Sequence, residues 1–337
     1  MWYEFFIDNG LVPFFLIKRT INLFNKNTHR RLKKTSKNDI KDFINEISHG
    51  PIAYDSDIAN LQHYEVPSEF FQKVLGDKLK YSSGYWLPET NNINQAEIAM
   101  LELYVERAEI NDGTSVLDLG CGWGSVSLYL ANKFPKCQIT CVSNSSTQIE
   151  YIKSYCLEKN ITNVTPIKCD INTFTPTKKF DRIISIEMFE HMHNLTALLE
   201  RISEWMSPNA NLFIHIFSHI KQPYFFNNNT WMAKHFFQSG MMPNYELFTQ
   251  LESKLKLVNS WKINGRHYEK TLNFWLEKLT ENKQEILDIF KKDVNEKKAL
   301  VFWRRWRIFF VACASLFGFK KGSVWIVAHH KFELKNE

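Results

Sequence analysis

From position 115 onward the chain alternates short, mainly apolar runs with longer amphipathic stretches. The runs at 115–119, 138–142, 164–169, 182–186 and 212–217 predict five strands, and 125–134, 147–158 and 195–206 predict helices between them. Strands that are apolar on both faces and joined by helices imply a parallel sheet covered on both sides. Two later runs, 256–263 and 324–332, add a sixth and a seventh strand. Further helices are predicted at 94–108, at 272–279 and over 285–319, the last broken near Glu296. Between them, 220–255 is irregular, aromatic and helical, as expected of an insertion that covers one face. Upstream, Phe5, Phe6, Leu11, Phe14, Phe15, Ile17, Ile21 and Phe24, interrupted by Gly10 and Pro13, predict two short amphipathic helices. Residues 25–38 are polar and basic, a linker or an exposed helix. The implied organisation is an N-terminal arm (1–45), a helical cap (46–110), a central α/β core (111–218), and an insertion with the last strands (219–337).

Charge and cysteine content narrow the class. The net charge is +6, and nine Lys/Arg stand against the single acid Asp39 between Lys18 and Lys41. That arm is either a solvated helix or a surface that rests on anionic membrane. Six cysteines without paired spacing read as reduced thiols. The N-terminus lacks a basic leader region, and the longest apolar stretch, 308–319, falls short of the roughly 20 residues a bilayer requires. The expectation is a cytoplasmic protein, peripheral at a membrane if the arm binds lipid.

Chemistry enters at Val116-Leu117-Asp118-Leu119-Gly120-Cys121-Gly122-Trp123-Gly124, a strand end that breaks into alternating glycines before a helix. Glycine lets backbone take positive φ and approach a ligand, and the helix start adds free N–H donors. A dinucleotide fingerprint needs glycine where Ser125 stands, which disfavours NAD and FAD. The G-x-G-x-G turn resembles motif I of the S-adenosylmethionine (SAM)-dependent methyltransferases. Ligands in such sheets lie beyond the carboxyl ends of the strands, and polar residues follow there. The second strand is followed by Ser143, Asn144 and Gln148 in place of an acid, and the third by Asp170-Ile171, a clamp for an adenine amino group. Glu187-Met188-Phe189-Glu190-His191-Met192 follows the fourth.

Together with Gln62-His63-Tyr64-Glu65-Val66-Pro67 and Tyr81-Ser82-Ser83-Gly84-Tyr85-Trp86, these motifs resemble the cyclopropane fatty acid synthase superfamily over residues 54–332. Within it, Glu187 to Met192, Asn264-Gly265-Arg266-His267-Tyr268 and Trp325-Ile326-Val327-Ala328-His329 resemble the coclaurine N-methyltransferase branch. The resemblance implies a class I SAM-methyltransferase (Rossmann-like) fold. That fold has a mostly parallel seven-stranded sheet, helices on both faces, a helical arm and a helical cap insertion. It also implies SAM as cofactor, leaving as S-adenosylhomocysteine (SAH). The cofactor contacts it points to are Tyr81, Ser82, Gly120, Gly122, Asn144, Gln148, Asp170 and Ile171, with Asp118, Trp123, Gly124 and Ser143 completing the set.

The reaction centre implied is Glu187, Glu190 and His191. On a helix after the fourth strand these positions share one face, where two carboxylates and an imidazole can attract an ammonium ion and take its proton. The superfamily's synthases instead discharge a carbocation with bicarbonate, held at positions that correspond to Ser83, Glu190, His215 and Tyr268; here serine replaces the motif's cysteine. Two functions therefore stand: methyl transfer to a small-molecule amine, or cyclopropanation of unsaturated acyl chains with bicarbonate. Nucleic acid is not an expected partner, since the Asn/Asp-Pro-Pro-aromatic loop of base-amine methyltransferases is absent. A non-catalytic module would lose the glycine turn, which is intact. His191-x-His193 and His329-His330 lack further ligands at metal spacing, so no metal is expected.

Overall fold

The structure, a computed structural model, describes residues 3–54, 66–237 and 240–335. Gln62 to Glu65 of the first family motif therefore lie outside the described residues. Three helices form the N-terminal region: α1 (Glu4–Asp8), α2 (Phe14–Leu32) and α3 (Lys37–Glu46). The predicted pair of short helices is in fact α1 followed by one helix of 19 residues. Pro13 sits at its N-cap, where a missing N–H costs nothing, and no breaker follows before Leu32. The 25–38 stretch is thus helical for its first half. Ser36 and Asp39 then form a reciprocal capping box that starts α3.

Two more helices, α4 (Ser68–Val74) and α5 (Ile93–Arg107), lead into the sheet. The alternation that follows is β1 (Ser115–Leu119), α6 (Ser125–Lys133), β2 (Gln138–Ser143), α7 (Ser146–Glu158), β3 (Val164–Lys168), β4 (Phe180–Ile186), α8 (Leu195–Trp205) and β5 (Met206–His219). The insertion holds β6 (Tyr224–Phe225) paired antiparallel with β7 (Met241–Met242), and the short helix α9 (Trp231–His235). The chain ends with β8 (Leu255–Ile263), α10 (Arg266–Glu281), α11 (Lys283–Phe290), α12 (Glu296–Phe317) and β9 (Trp325–Leu334). The predicted break near Glu296 is where Asn295 caps α12.

All seven predicted strands join one sheet in the order β3-β2-β1-β4-β5-β9-β8. The first five are parallel; β9 runs antiparallel to β5, and β8 antiparallel to β9. Two apolar cores cover the faces: Val116 belongs to one, Leu117 and Leu119 to the other. β1 pairs with β2 on one side and β4 on the other, so the strand order reverses there and opens a crevice at their carboxyl ends.

The N-terminal region is a packed wall. Tyr3, Ile7, Ile17 and Ile21 lie against the core, and α2 packs on α12. Arg305 forks onto the Asp8 carboxylate, and the Arg307 guanidinium lies 3.6 Å from the centroid of the Phe14 ring. All six cysteines are free thiols, and among the described residues no helix is long and apolar enough to cross a membrane.

Candidate active site

The glycine turn sits at the mouth of that crevice. The Gly120 and Cys121 N–H groups both donate to the Val142 carbonyl, at 3.0 and 2.9 Å, which draws the turn across β2. Gly122 has φ +53, and a Cβ built there meets nothing within 4 Å: it would stand in an open cleft. Of the twelve predicted cofactor residues, Tyr81, Ser82, Asp118, Gly120, Gly122, Trp123, Ser143, Asn144, Gln148 and Ile171 line this cleft. Two do not. A Cβ on Gly124 would lie 2.8 Å from Ile152, so that glycine serves the packing of α6 against α7. Asp170 turns into its own loop, accepting the Asn172 N–H at 2.7 Å. Asp118 lines the cleft but accepts from the Ser127 hydroxyl at 2.6 Å, and burial raises its carboxyl to about 6.

The cleft fits SAM on its own evidence. Gly122 leaves the space a side chain would fill, and the Trp123 Nε1, Ser125 hydroxyl and Gln148 Nε2 are buried without partners. Unpaired buried donors are costly and are what a ligand rich in hydroxyl, carboxylate and ring-nitrogen acceptors satisfies. Ser125, Lys80 and Met188 also line the cleft; Ser125 was legible as the first residue of the helix after the turn and Met188 stood in a family motif, whereas Lys80 carried no signal.

A second cavity of about 410 Å³ adjoins it, walled largely by aromatic side chains from the insertion and α12. Tyr81, Glu187 and His191 line both spaces. Those three residues therefore mark where a cofactor and an acceptor would meet.

Glu187, Glu190 and His191 reach the second cavity, but not by sharing a helix face. Glu187 has φ +49, its N–H bonded to the His215 carbonyl at 2.8 Å, and only a single 3-10 turn, Phe189–His191, follows. Long-range bonds to the Glu187 side chain override the helical pattern. Its Oε1 accepts the Ser83 N–H at 3.2 Å and His215 Nε2 at 3.1 Å; its Oε2 accepts the Tyr268 hydroxyl at 2.6 Å. Burial alone would raise this carboxyl. The His215 and Tyr268 hydrogen bonds and the Lys80 ammonium outweigh it and hold Glu187 below the ordinary value.

Glu190 is its opposite. It is fully buried, and neither carboxylate oxygen has a hydrogen-bond partner. Burial, then the Glu187 charge, push its carboxyl well above the ordinary value, and the neighbouring main chain of Glu190 and Phe217 opposes this only in part. His191, stacked on Phe237 at 4.6 Å, is depressed to about 4 by burial and is neutral at physiological pH.

Behind Glu187 runs a chain of donors with one possible direction. Arg107 cannot accept a hydrogen bond, so its contact with His329 Nδ1 at 2.7 Å makes that nitrogen the acceptor. The His329 proton then sits on Nε2 and is given to His215 Nδ1 at 2.9 Å, which also takes the Tyr104 hydroxyl at 2.8 Å. His215 is thereby left with its proton on Nε2, aimed at Glu187. Burial keeps both rings neutral, His215 at about 4 and His329 well below its ordinary value. His329 stood in a family motif; Arg107 and Tyr104 carried no sequence signal. Among the described residues no group of three or more His, Cys, Asp or Glu could hold a metal ion.

Residues 54–327 match the family model of mycolic acid cyclopropane synthetase. The (S)-coclaurine N-methyltransferase of Papaver somniferum is 35% identical over 339 residues, spanning 98% of this chain and 97% of that protein. The cyclopropane-fatty-acyl-phospholipid synthase of Escherichia coli (strain K12) is 26% identical over 272 residues, 80% of this chain and 67% of that one. A crystal structure of coclaurine N-methyltransferase bound to N-methylheliamine and SAH is similar over 98% of both chains, with a TM-score of 0.93 and 33% identity.

Proposed function

The chain belongs to the mycolic acid cyclopropane synthetase family and is a SAM-dependent methyltransferase, and we propose that its acceptor is the nitrogen of a small-molecule amine. One observation carries the reading. The Glu187 carboxylate is gripped by Ser83, His215 and Tyr268, three of the four positions that the superfamily's synthases give to bicarbonate. The synthase alternative needs a second anion where an ionised side chain already sits. A cavity so built favours a cation, and the N-methyltransferase relatives support the same choice.

When bound, SAM supplies the electrophilic methyl group of a sulfonium. The chain's own groups handle the acceptor. Glu187 stays ionised and draws an ammonium ion toward the junction of the two cavities. The positive charge of the ammonium favours the Glu190 carboxylate, which gives up its proton to solvent; that carboxylate then takes one proton from nitrogen, exposing its lone pair. A carboxyl whose affinity for protons is raised by burial and by the Glu187 charge is matched to this task, and general bases of this kind contribute about 10²–10⁴-fold. His191 and Tyr81 wall the junction, and positioning of nitrogen there supplies much of the remaining acceleration.

The test is calorimetry on the SAH complex with 2-phenylethylamine and with its isosteric alcohol, 2-phenylethanol. The amine should bind at least tenfold more tightly, and Glu187→Gln should erase most of that difference. Equal binding of amine and alcohol by the native protein would exclude the reading.

We further propose that the protein works in the cytoplasm, with the outer face of α1 and α2 resting on anionic membrane. The side chains of Phe5, Leu11, Phe15, Leu23 and Phe24 are each more than half exposed. The exposed Lys18, Arg19 and Lys26 stand on the same helix as three of them. Aromatic anchors beside cations suit a negatively charged interface. Flotation with phosphatidylserine vesicles should be lost on Phe15→Ser with Phe24→Ser and weakened by salt. Flotation indifferent to both, or a dimer that the same substitutions dissolve, would reject the membrane as occupant.

A further inference from the structure

The acceptor cavity has a second polar end. α2 contributes Asn25, Thr28 and Arg31 to its wall, one residue on each of three successive turns. Asn25 is 9% exposed, and its Nδ2 is a buried donor without a partner. Arg31 is exposed, lines the cavity and makes no ion pair among the described residues, so the cavity opens where it stands. Nearby Tyr224 accepts from Trp325 Nε1 at 3.1 Å, which leaves its own proton to donate. Burial pushes its hydroxyl above the ordinary phenol value, with the Trp325 hydrogen bond and the Arg31 charge pulling the other way, so it remains a donor near neutral pH. Among the described residues, the acids that line this cavity are Glu187 and Glu190. One polar group therefore accepts protons and holds negative charge; the other donates and is positive. Aromatic side chains such as Phe226, Phe237 and Phe317 line the same space.

We propose that Asn25, Thr28, Arg31 and Tyr224 form a binding subsite for a hydrogen-bond-accepting oxygen on the acceptor molecule, most strongly for a carboxylate. The inference rests on the amine reading and sharpens it: the substrate class becomes an amine with an aromatic body and an oxygen acceptor at its other end. An unpartnered amide donor beside a guanidinium is costly to leave dry; a ligand carboxylate would turn both into charge-assisted hydrogen bonds. It also gives the N-terminal helix a place in specificity. α2 is held on the body by its packing against α12, so the three side chains are presented on a rigid element rather than a loose arm.

Three compounds on one scaffold test this: 2-phenylethylamine, tyramine and 4-(2-aminoethyl)benzoate, each also as the biphenyl homologue to span the cavity. In at least one length, kcat/KM should rise about tenfold or more from hydrogen to carboxylate, with hydroxyl between. Arg31→Met should collapse the carboxylate preference toward unity, and added salt should shrink it. Asn25→Leu should reduce the hydroxyl preference; SAH calorimetry on each variant shows that it is folded. Methylation of all three at equal rates, or a preference that survives both substitutions, would overturn the subsite and leave N-methylation standing. Binding and methylation of none would overturn the amine reading beneath it.

Discussion

Replacing Glu187 by glycine puts the site's charge arrangement to its hardest test. The carboxylate takes hydrogen bonds from the Ser83 N–H, His215 Nε2 and the Tyr268 hydroxyl. Its removal leaves three buried donors facing a void, at roughly 1–3 kcal/mol each if nothing replaces it. Backbone strain works the other way. Glu187 sits at φ +49, where a side chain costs about 1–2 kcal/mol and glycine costs nothing. The variant should therefore fold, less stable than the parent by a few kcal/mol. Loss of the fixed charge at the junction should lower kcat/KM for an amine by roughly 10²–10³-fold. The vacated grip has the shape and donors for a small planar anion. Sodium bicarbonate, compared with chloride at equal pH and ionic strength, should restore activity in Glu187→Gly by about tenfold or more and do nothing for the native enzyme. Steady-state kinetics on a variant shown by calorimetry to bind SAH reads both effects. A folded Glu187→Gly enzyme that works at the native rate, or one that ignores bicarbonate, would show that no fixed charge is needed at the junction.

Other perturbations read other parts of the site. Gly122→Val places a branched side chain at φ +53 in the open cleft and should abolish SAH binding by calorimetry while far-ultraviolet circular dichroism stays native. Tyr268→Phe removes one of the bonds that hold Glu187 low. Activity that depends on the Glu187 charge is present above its pKa and lost as pH falls through it, so the acid limb of kcat/KM should move to higher pH in this variant. Glu190 has the reverse sign: its carboxyl is raised above the ordinary 4.5. As pH rises above the ordinary carboxylate value, the folded state holds a proton the unfolded state has released, which costs stability. Glu190→Gln should thus melt higher than the native protein near neutral pH and alike well below pH 4.5, while losing most of its activity. An unchanged melting difference across that range would contradict the assigned protonation.

How much of this was visible in the residues depended on whether local pattern or long-range contact set the outcome. Apolar runs such as 115–119 and 212–217 gave the strands away because burial on both faces leaves little room for polar residues. The glycine turn was legible because positive φ next to an open cleft admits few alternatives to glycine. Reading 187–191 as a helix failed because three distant donors, on Ser83, His215 and Tyr268, hold the first residue in a left-handed conformation. Asp170, placed as a ligand clamp by its position after β3, also has one carboxylate oxygen engaged by the Asn172 N–H of its own loop, which the sequence does not announce. Gly124 belonged to the glycine pattern yet answers to Ile152 across a helix contact. The N-terminal region read as a detached basic arm since its charges are local, whereas its place in the cavity wall follows from packing on α12. Likewise, the order Arg107, His329, His215, Glu187 joins four separate elements, and only their juxtaposition fixes which nitrogen carries each proton.

Whether the methyl group goes to nitrogen is decided by where a labelled methyl lands. Purified protein would be given SAM carrying a carbon-13 methyl group, with 2-phenylethylamine and monounsaturated phospholipid vesicles together in one vessel, with and without bicarbonate. Carbon-13 NMR of the products should show the label as an N-methyl signal, independent of bicarbonate, with the acyl double bonds intact. Label in a cyclopropane methylene, with double bonds consumed only when bicarbonate is present, would make the acyl chain the acceptor instead.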